Sequence, residues 1–148
     1  MFERVVAAID SHPERSGRVI AATTELALAC HSQVLVAHVR DVERPSGMIT
    51  STARAGAIPP SIHFESEERA RELVDGAVEN LRSAGVEATG EIGSGEGSTA
   101  RELLDIARRY GATVIVVGDR GSHLSDLLLG SVANRIAHLA YCPVLLAR

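Results

Sequence analysis

Residues 114–121 read Val114-Ile115-Val116-Val117-Gly118-Asp119-Arg120-Gly121, four β-branched apolar residues that break into a glycine loop. A continuous apolar run this short, bounded by turn residues, suits a strand buried on both faces, as in a parallel sheet. The loop continues through residue 130 and leads to a helix predicted from Ser131 onward. Strand, glycine turn and helix together make half of a βαβ unit, so the fold depends on whether that pattern repeats.

It repeats along the whole chain. Val5-Val6-Ala7-Ala8-Ile9 is an equivalent run, ended by Asp10 and Ser11. Ser11 with Glu14 resembles a capping box, Pro13 suits a first helical turn, and Val19, Ala22, Leu26 and Ala29 then recur at helical spacing to about His31. Val34 to Val39 is the second strand. Residues 40–60 have no periodicity and carry Pro45, Gly47, Gly56, Pro59 and Pro60; a loop of this length is usually functional or disordered. Ala70, Leu73, Ala77, Leu81 and Ala84 mark one face of a long helix stopped by Gly85. Val86 to Ile92 alternates apolar and polar residues as a strand with one wetter face. Ser98 is placed to cap the helix of Leu103, Leu104 and Ala107, which Gly111 ends, and Pro143 to Ala147 forms a fifth strand. The expected fold is α/β: one domain over residues 1–148, with an open parallel five-stranded sheet and helices on both faces.

Composition narrows the chemistry. With 45% hydrophobic and 23% charged residues the chain is globular, and 148 residues can bury a core without metal or disulfide support. All 15 basic residues are Arg, because the sequence contains no Lys. That excludes a Schiff-base lysine, a Walker-type phosphate lysine and the lysine of a phospho-receiver site. The net charge of −4 and the interleaving of Arg with Asp and Glu leave no basic stripe for nucleic acid. No apolar run approaches the roughly 20 residues that span a bilayer, and Met1-Phe2-Glu3-Arg4 lacks a signal-peptide arrangement. Cys30 and Cys142 share no CxxC spacing and read as buried thiols. The expectation is a cytoplasmic protein with neither nucleic-acid nor membrane partners.

Ligands of open α/β sheets sit beyond the carboxyl ends of the strands, where strand order reverses. Two such ends stand out: Ala8-Ile9-Asp10-Ser11, and Gly118-Asp119-Arg120-Gly121 with the later Gly130-Ser131 helix start. These glycines either let a phosphate approach bare backbone and a helix N-terminus, or only shape a tight turn. Gly93-Ser94-Gly95-Glu96-Gly97-Ser98-Thr99 has the outline of a phosphate loop, but it lacks the lysine and Glu96 has the wrong sign. It reads as a connecting or ligand-contacting loop. Six histidines show no metal-ligand spacing; His38 reads as a satisfied core or rim residue, and His123 in the glycine loop could donate to a phosphate. No arrangement supports a catalytic nucleophile, and Asp10-Ser11-His12-Pro13 lacks the Ser-Gly-Gly loop of ATP pyrophosphatases.

Val117-Gly118-Asp119-Arg120-Gly121, then Leu127-Leu128-Leu129-Gly130-Ser131-Val132, with Cys142-Pro143-Val144-Leu145-Leu146 behind them, resemble the universal stress protein family. Val6-Ala7-Ala8-Ile9-Asp10 and Val36-Ala37-His38-Val39 fit the same family, so the resemblance covers essentially the whole chain. It implies a Rossmann-like sheet of order 3-2-1-4-5 and a homodimeric, adenine-nucleotide-binding module of the stress response, with slow ATP hydrolysis or none. By the same resemblance Asp10 and Val39 contact adenine and ribose beside Ala8 and Val117. Gly118, Gly121, Gly130, Ser131 and Val132 surround ribose and phosphates through backbone N–H groups. The ligand implied is ATP, with or without Mg²⁺.

Two positions depart from that pattern. Eight residues separate Gly121 from Gly130 where the ATP-binding branch has nine, and Asp119 stands where Ser or Thr is usual. Asp119 either holds Mg²⁺, pairs with Arg120 or another arginine, or points into solvent. A dimer that binds no nucleotide and a Mg²⁺-dependent ATPase are the alternatives these departures leave. Val144 to Ala147, an apolar last strand, invites pairing with a second chain, and the resemblance likewise implies a dimer through it. An unidentified protein partner is expected to sense nucleotide occupancy through residues 40–60.

Overall fold

β1 (Arg4–Ala8) runs through the middle of the sheet, with Val6 beside Leu35 of β2 (Gln33–Val39) on one side and Ile115 of β4 (Val114–Gly118) on the other. β3 (Glu87–Gly93) pairs outside β2 and β5 (Val144–Ala147) outside β4. All pairings are parallel, and the order is β3-β2-β1-β4-β5. The structure, a computed structural model, describes residues 1–42, 64–119 and 130–148. Among these the connecting helices are α1 (Pro13–Cys30), α2 (Glu67–Ser83), α3 (Thr99–Tyr110) and α4 (Ser131–Leu139).

Strand alternation splits the core into two layers. Val5 and Ala7 of β1, Val34 and Val36 of β2, and Val114 and Val116 of β4 face Val19 and Ala27 of α1 and Val74 and Leu81 of α2. Val6, Leu35, Ile115 and Val117 face the opposite way, against Leu103, Ile106 and Ala107 of α3 and Ile136 of α4. The central strands are buried on both faces, which is why they read as unbroken apolar runs. α3 ends on Gly111, whose φ of +74° is a left-handed conformation that a residue with a Cβ adopts poorly.

Several local expectations are corrected. Ser11 does not cap α1: His12 is the N-cap, Pro13 begins the helix, and the Asp10 carboxylate takes the His12 N–H at 2.9 Å. Ser98 is the N-cap of α3 but makes no side-chain cap bond; its hydroxyl accepts instead from Arg135 at 3.2 Å. The buried stripe of α1 is Val19, Thr23 and Ala27, which leaves Ala29 half a turn away in solvent. Ala84 is exposed at the C-cap of α2, whose stripe runs through Ala70, Val74, Ala77 and Leu81. The thiols are not buried: Cys30 is exposed at the end of α1, and Cys142 is partly exposed in the turn before β5.

Candidate functional site

β1 and β4 are neighbours, yet their outgoing connections reach opposite faces: α1 covers one layer and α4 the other. Diverging connections open a crevice above the two strand ends, the geometry expected at a topological switch point. A crevice of about 130 Å³ lies there, floored by Ala8, Ile9, Val117 and Gly118. Asp10 and Arg15 line one side, and Ser131 and Val132 of α4 with Thr99 of α3 line the other.

The Asp10 side is built by the first turn of α1. The Asp10 N–H donates to Ser16 Oγ at 3.1 Å, and the Ser16 hydroxyl donates to the Asp10 carbonyl at 2.7 Å. This exchange pins the backbone at the end of β1. One carboxylate oxygen accepts the His12 N–H, and the other is ion-paired with the Arg15 guanidinium. The stem of Arg15 crosses Gly118, where an added Cβ would stand 2.4 Å from Arg15 Cγ. Gly118 is therefore required by Arg15 whatever else approaches it.

The opposite side is a helix start. Gly130 caps α4 with no side-chain cap bond, and the first intrahelical bond runs from Asn134 N–H to the Gly130 carbonyl at 2.8 Å. First-turn amides have no partner within the helix and carry partial positive charge. Ser131 and Val132 bring these amides to the crevice, making that side chemically suited to an anion.

Six residues expected from the sequence thus line one crevice: Ala8, Asp10, Val117, Gly118, Ser131 and Val132. Val39 is buried at the end of β2, its side chain beside Gly93, and does not line the crevice. Gly130 contributes only as the cap of α4. Gly121, Arg120, His123, the triple-leucine segment 127–129 and residues 43–60 lie outside the described residues. Ile9 and Thr99, from the strand end and the glycine-rich loop read above, also line the crevice, and so do Arg15 and Ser16, which were not anticipated. The signal for Arg15 was available in part: a cation one turn into the helix after the first strand end.

Asp119 does not line the crevice; its carboxylate lies 3.6 Å from Arg148 Nε, while Arg18 donates to its backbone carbonyl at 3.3 Å. The glycine-rich 93–97 loop is occupied by the protein itself. Glu102 of α3 accepts the N–H of Gly97 at 2.8 Å and that of Gly95 at 3.2 Å, so its carboxylate takes donors that a phosphate would need. His38 is indeed a satisfied core residue, bonded to the Ile9 carbonyl and to Glu65.

A profile of the universal stress protein family matches residues 1–148. Universal stress protein YxiE of Bacillus subtilis is 30% identical over 155 aligned positions, covering all of both chains. Among solved structures, the universal stress protein of Archaeoglobus fulgidus in complex with dAMP superposes with a TM-score of 0.69 at 24% identity, over 100% of this chain and 98% of that one. A universal stress protein family protein of Arabidopsis thaliana with AMP bound superposes with a TM-score of 0.67 at 20% identity, over 97% and 89%.

Proposed function

The chain belongs to the universal stress protein family, and on that footing we propose that it is an adenine-nucleotide-binding module of the stress response. The observation that carries this reading is the crevice at the β1–β4 switch point. It sets apolar floor residues, Ala8 and Val117, against the amide-rich start of α4. Such a site offers an apolar surface to a base and backbone donors to a phosphate. The dAMP and AMP complexes of structurally similar proteins support the same ligand class. ATP is the nucleotide of the proposal, with the glycine motif, Gly121 and Gly130 included, around ribose and phosphates.

The role proposed is holding the nucleotide, with slow hydrolysis or none. Both Asp10 carboxylate oxygens are engaged by neighbouring donors, so this carboxylate is not poised to take a proton from water. Asp119, the candidate Mg²⁺ contact, faces Arg148. A cytoplasmic setting accords with two unpaired thiols, Cys30 and Cys142. Assembly is proposed through β5, which is an edge strand with Leu145 36% exposed, preceded by exposed Leu139 and Tyr141.

The decisive experiment is to denature the purified protein, identify released small molecules, and titrate the ligand-free protein with ATP, AMP and cyclic AMP. Release of an adenine nucleotide or saturable heat with one of them is expected. Neither release nor heat would leave a dimeric interaction protein without nucleotide as the reading.

A further inference from the structure

Arg15 lines the crevice, and among the described lining residues it is the one cation. It belongs neither to the glycine motif nor to a strand end; it is the third residue of α1. One guanidinium nitrogen is ion-paired with Asp10. Its Nε is buried and has no hydrogen-bond partner among the described residues. A buried N–H left without an acceptor is costly, so the Arg15 head gains from a small shift that brings this donor to a ligand oxygen.

The surroundings define that ligand. Asp10 anchors the guanidinium, and the Arg15 stem rests on Gly118, so the planar head is held in place before anything binds. Pre-positioning reduces the side-chain ordering that binding otherwise requires. The ion pair also neutralises Asp10, which alone would repel an anion. The α4 start, with Ser131 and Val132, closes the same small crevice from the other side. Cation and helix start together surround one space of about 130 Å³.

We propose that Arg15 is a specificity-determining residue that reads the phosphate of the bound nucleotide, so that the crevice selects phosphorylated adenine nucleotides over the uncharged nucleoside. Arg15 does so from its Asp10-anchored position, as a charge-assisted hydrogen-bond donor whose own charge is partly offset by Asp10. The chain has no lysine to substitute for it. This inference rests on the nucleotide-binding reading and assigns part of its selectivity to a single side chain.

The test is calorimetric titration of adenosine, AMP and ATP into wild type, Arg15→Met and Arg15→Lys, with thermal unfolding of each variant to confirm that it folds. Methionine keeps an apolar stem over Gly118 and removes the charge. Arg15→Met is expected to weaken AMP and ATP by about 10- to 100-fold, the range of a charge-assisted hydrogen bond, and to leave adenosine nearly unchanged. Arg15→Lys is expected to recover part of the loss, because it restores charge without the planar fork. Equal loss for all three ligands would make Arg15 a packing residue and overturn the inference. An unchanged or stronger affinity for AMP in Arg15→Met would overturn it as well. Both results leave nucleotide binding intact, whereas a wild type that binds none of the three ligands overturns the nucleotide reading itself.

Discussion

His38 Nε2 lies 2.9 Å from Glu65 Oε2, and the two side chains are 3% and 8% exposed. The other ring nitrogen, Nδ1, is 3.0 Å from the Ile9 carbonyl, an acceptor only, so Nδ1 carries a proton. A second proton must then lie between Nε2 and the carboxylate. Glu65 also accepts the Asp41 N–H at 2.9 Å, and Arg40 donates to the Glu65 backbone carbonyl at 2.9 Å. The pair ties the end of β2 to residue 65, just before the Ser66 cap of α2, and through Ile9 to the floor of the crevice.

His38→Ala strands a buried carboxylate and is expected to cost about 3–5 kcal/mol in urea unfolding. Glu65→Gln is expected to cost less, because its amide can donate to Nε2 while Nδ1–H still serves Ile9. Equal losses in the two variants would count against this proton arrangement.

Gly118→Ala sets a Cβ 2.4 Å from Arg15 Cγ. The variant is expected to lose about 1–3 kcal/mol through overpacking, and to regain most of it when combined with Arg15→Ala. Thermal unfolding of the two single variants and the double variant measures that coupling. Additive losses would show that the close approach carries no strain.

Glu102→Ala removes the acceptor for the Gly95 and Gly97 amides. Hydrogen exchange at those two amides is expected to accelerate, with a stability loss of about 1 kcal/mol because the carboxylate is partly solvated. Unchanged exchange at both amides would refute the clamp.

Leu145→Arg places a charge on the exposed face of the β5 edge. Light scattering is expected to give a dimeric mass for wild type and a monomeric mass for the variant, with the melting temperature little changed. A dimer that survives the substitution would place the interface elsewhere.

Partial burial pushes the Cys142 thiol above its usual value, whereas Cys30 is exposed at the end of α1. Only the thiolate is nucleophilic, and a raised value leaves less thiolate at a given pH. At pH 8 iodoacetamide is expected to label Cys30 first and Cys142 more slowly, with the gap narrowing as pH rises. Mass spectrometry of time points checks the order.

The strands were legible because each is a local pattern. Val5–Ala7 and Val114–Val117 are buried on both faces, so every position had to be apolar. The helix caps were less legible, because which side chain meets a first-turn group depends on residues brought close by the fold as well as on local sequence. At the end of β1 the helix starts one residue later than the Ser11–Glu14 box implies, with the Asp10 carboxylate taking the His12 amide, and at α3 Arg135 donates to the hydroxyl of Ser98. At the candidate site, the motif anticipated Gly118, Ser131 and Val132 as crevice-lining positions, but not Arg15 or Thr99.

Periodicity, glycine stops and apolar runs determined the α/β class and the alternation of elements, because each depends only on residues within a turn or a strand. Tertiary structure decided the rest. The Glu65 carboxylate reaches His38 from 27 positions away, and Arg135 meets Ser98 from 37 positions away. Gly118 comes under Arg15 only because β4 pairs beside β1. Such contacts are set by strand order and by the face on which each helix lands. Neither quantity is encoded in any single stretch of chain, so the composition of the crevice and the pairing of its charges appear only when the sheet is assembled.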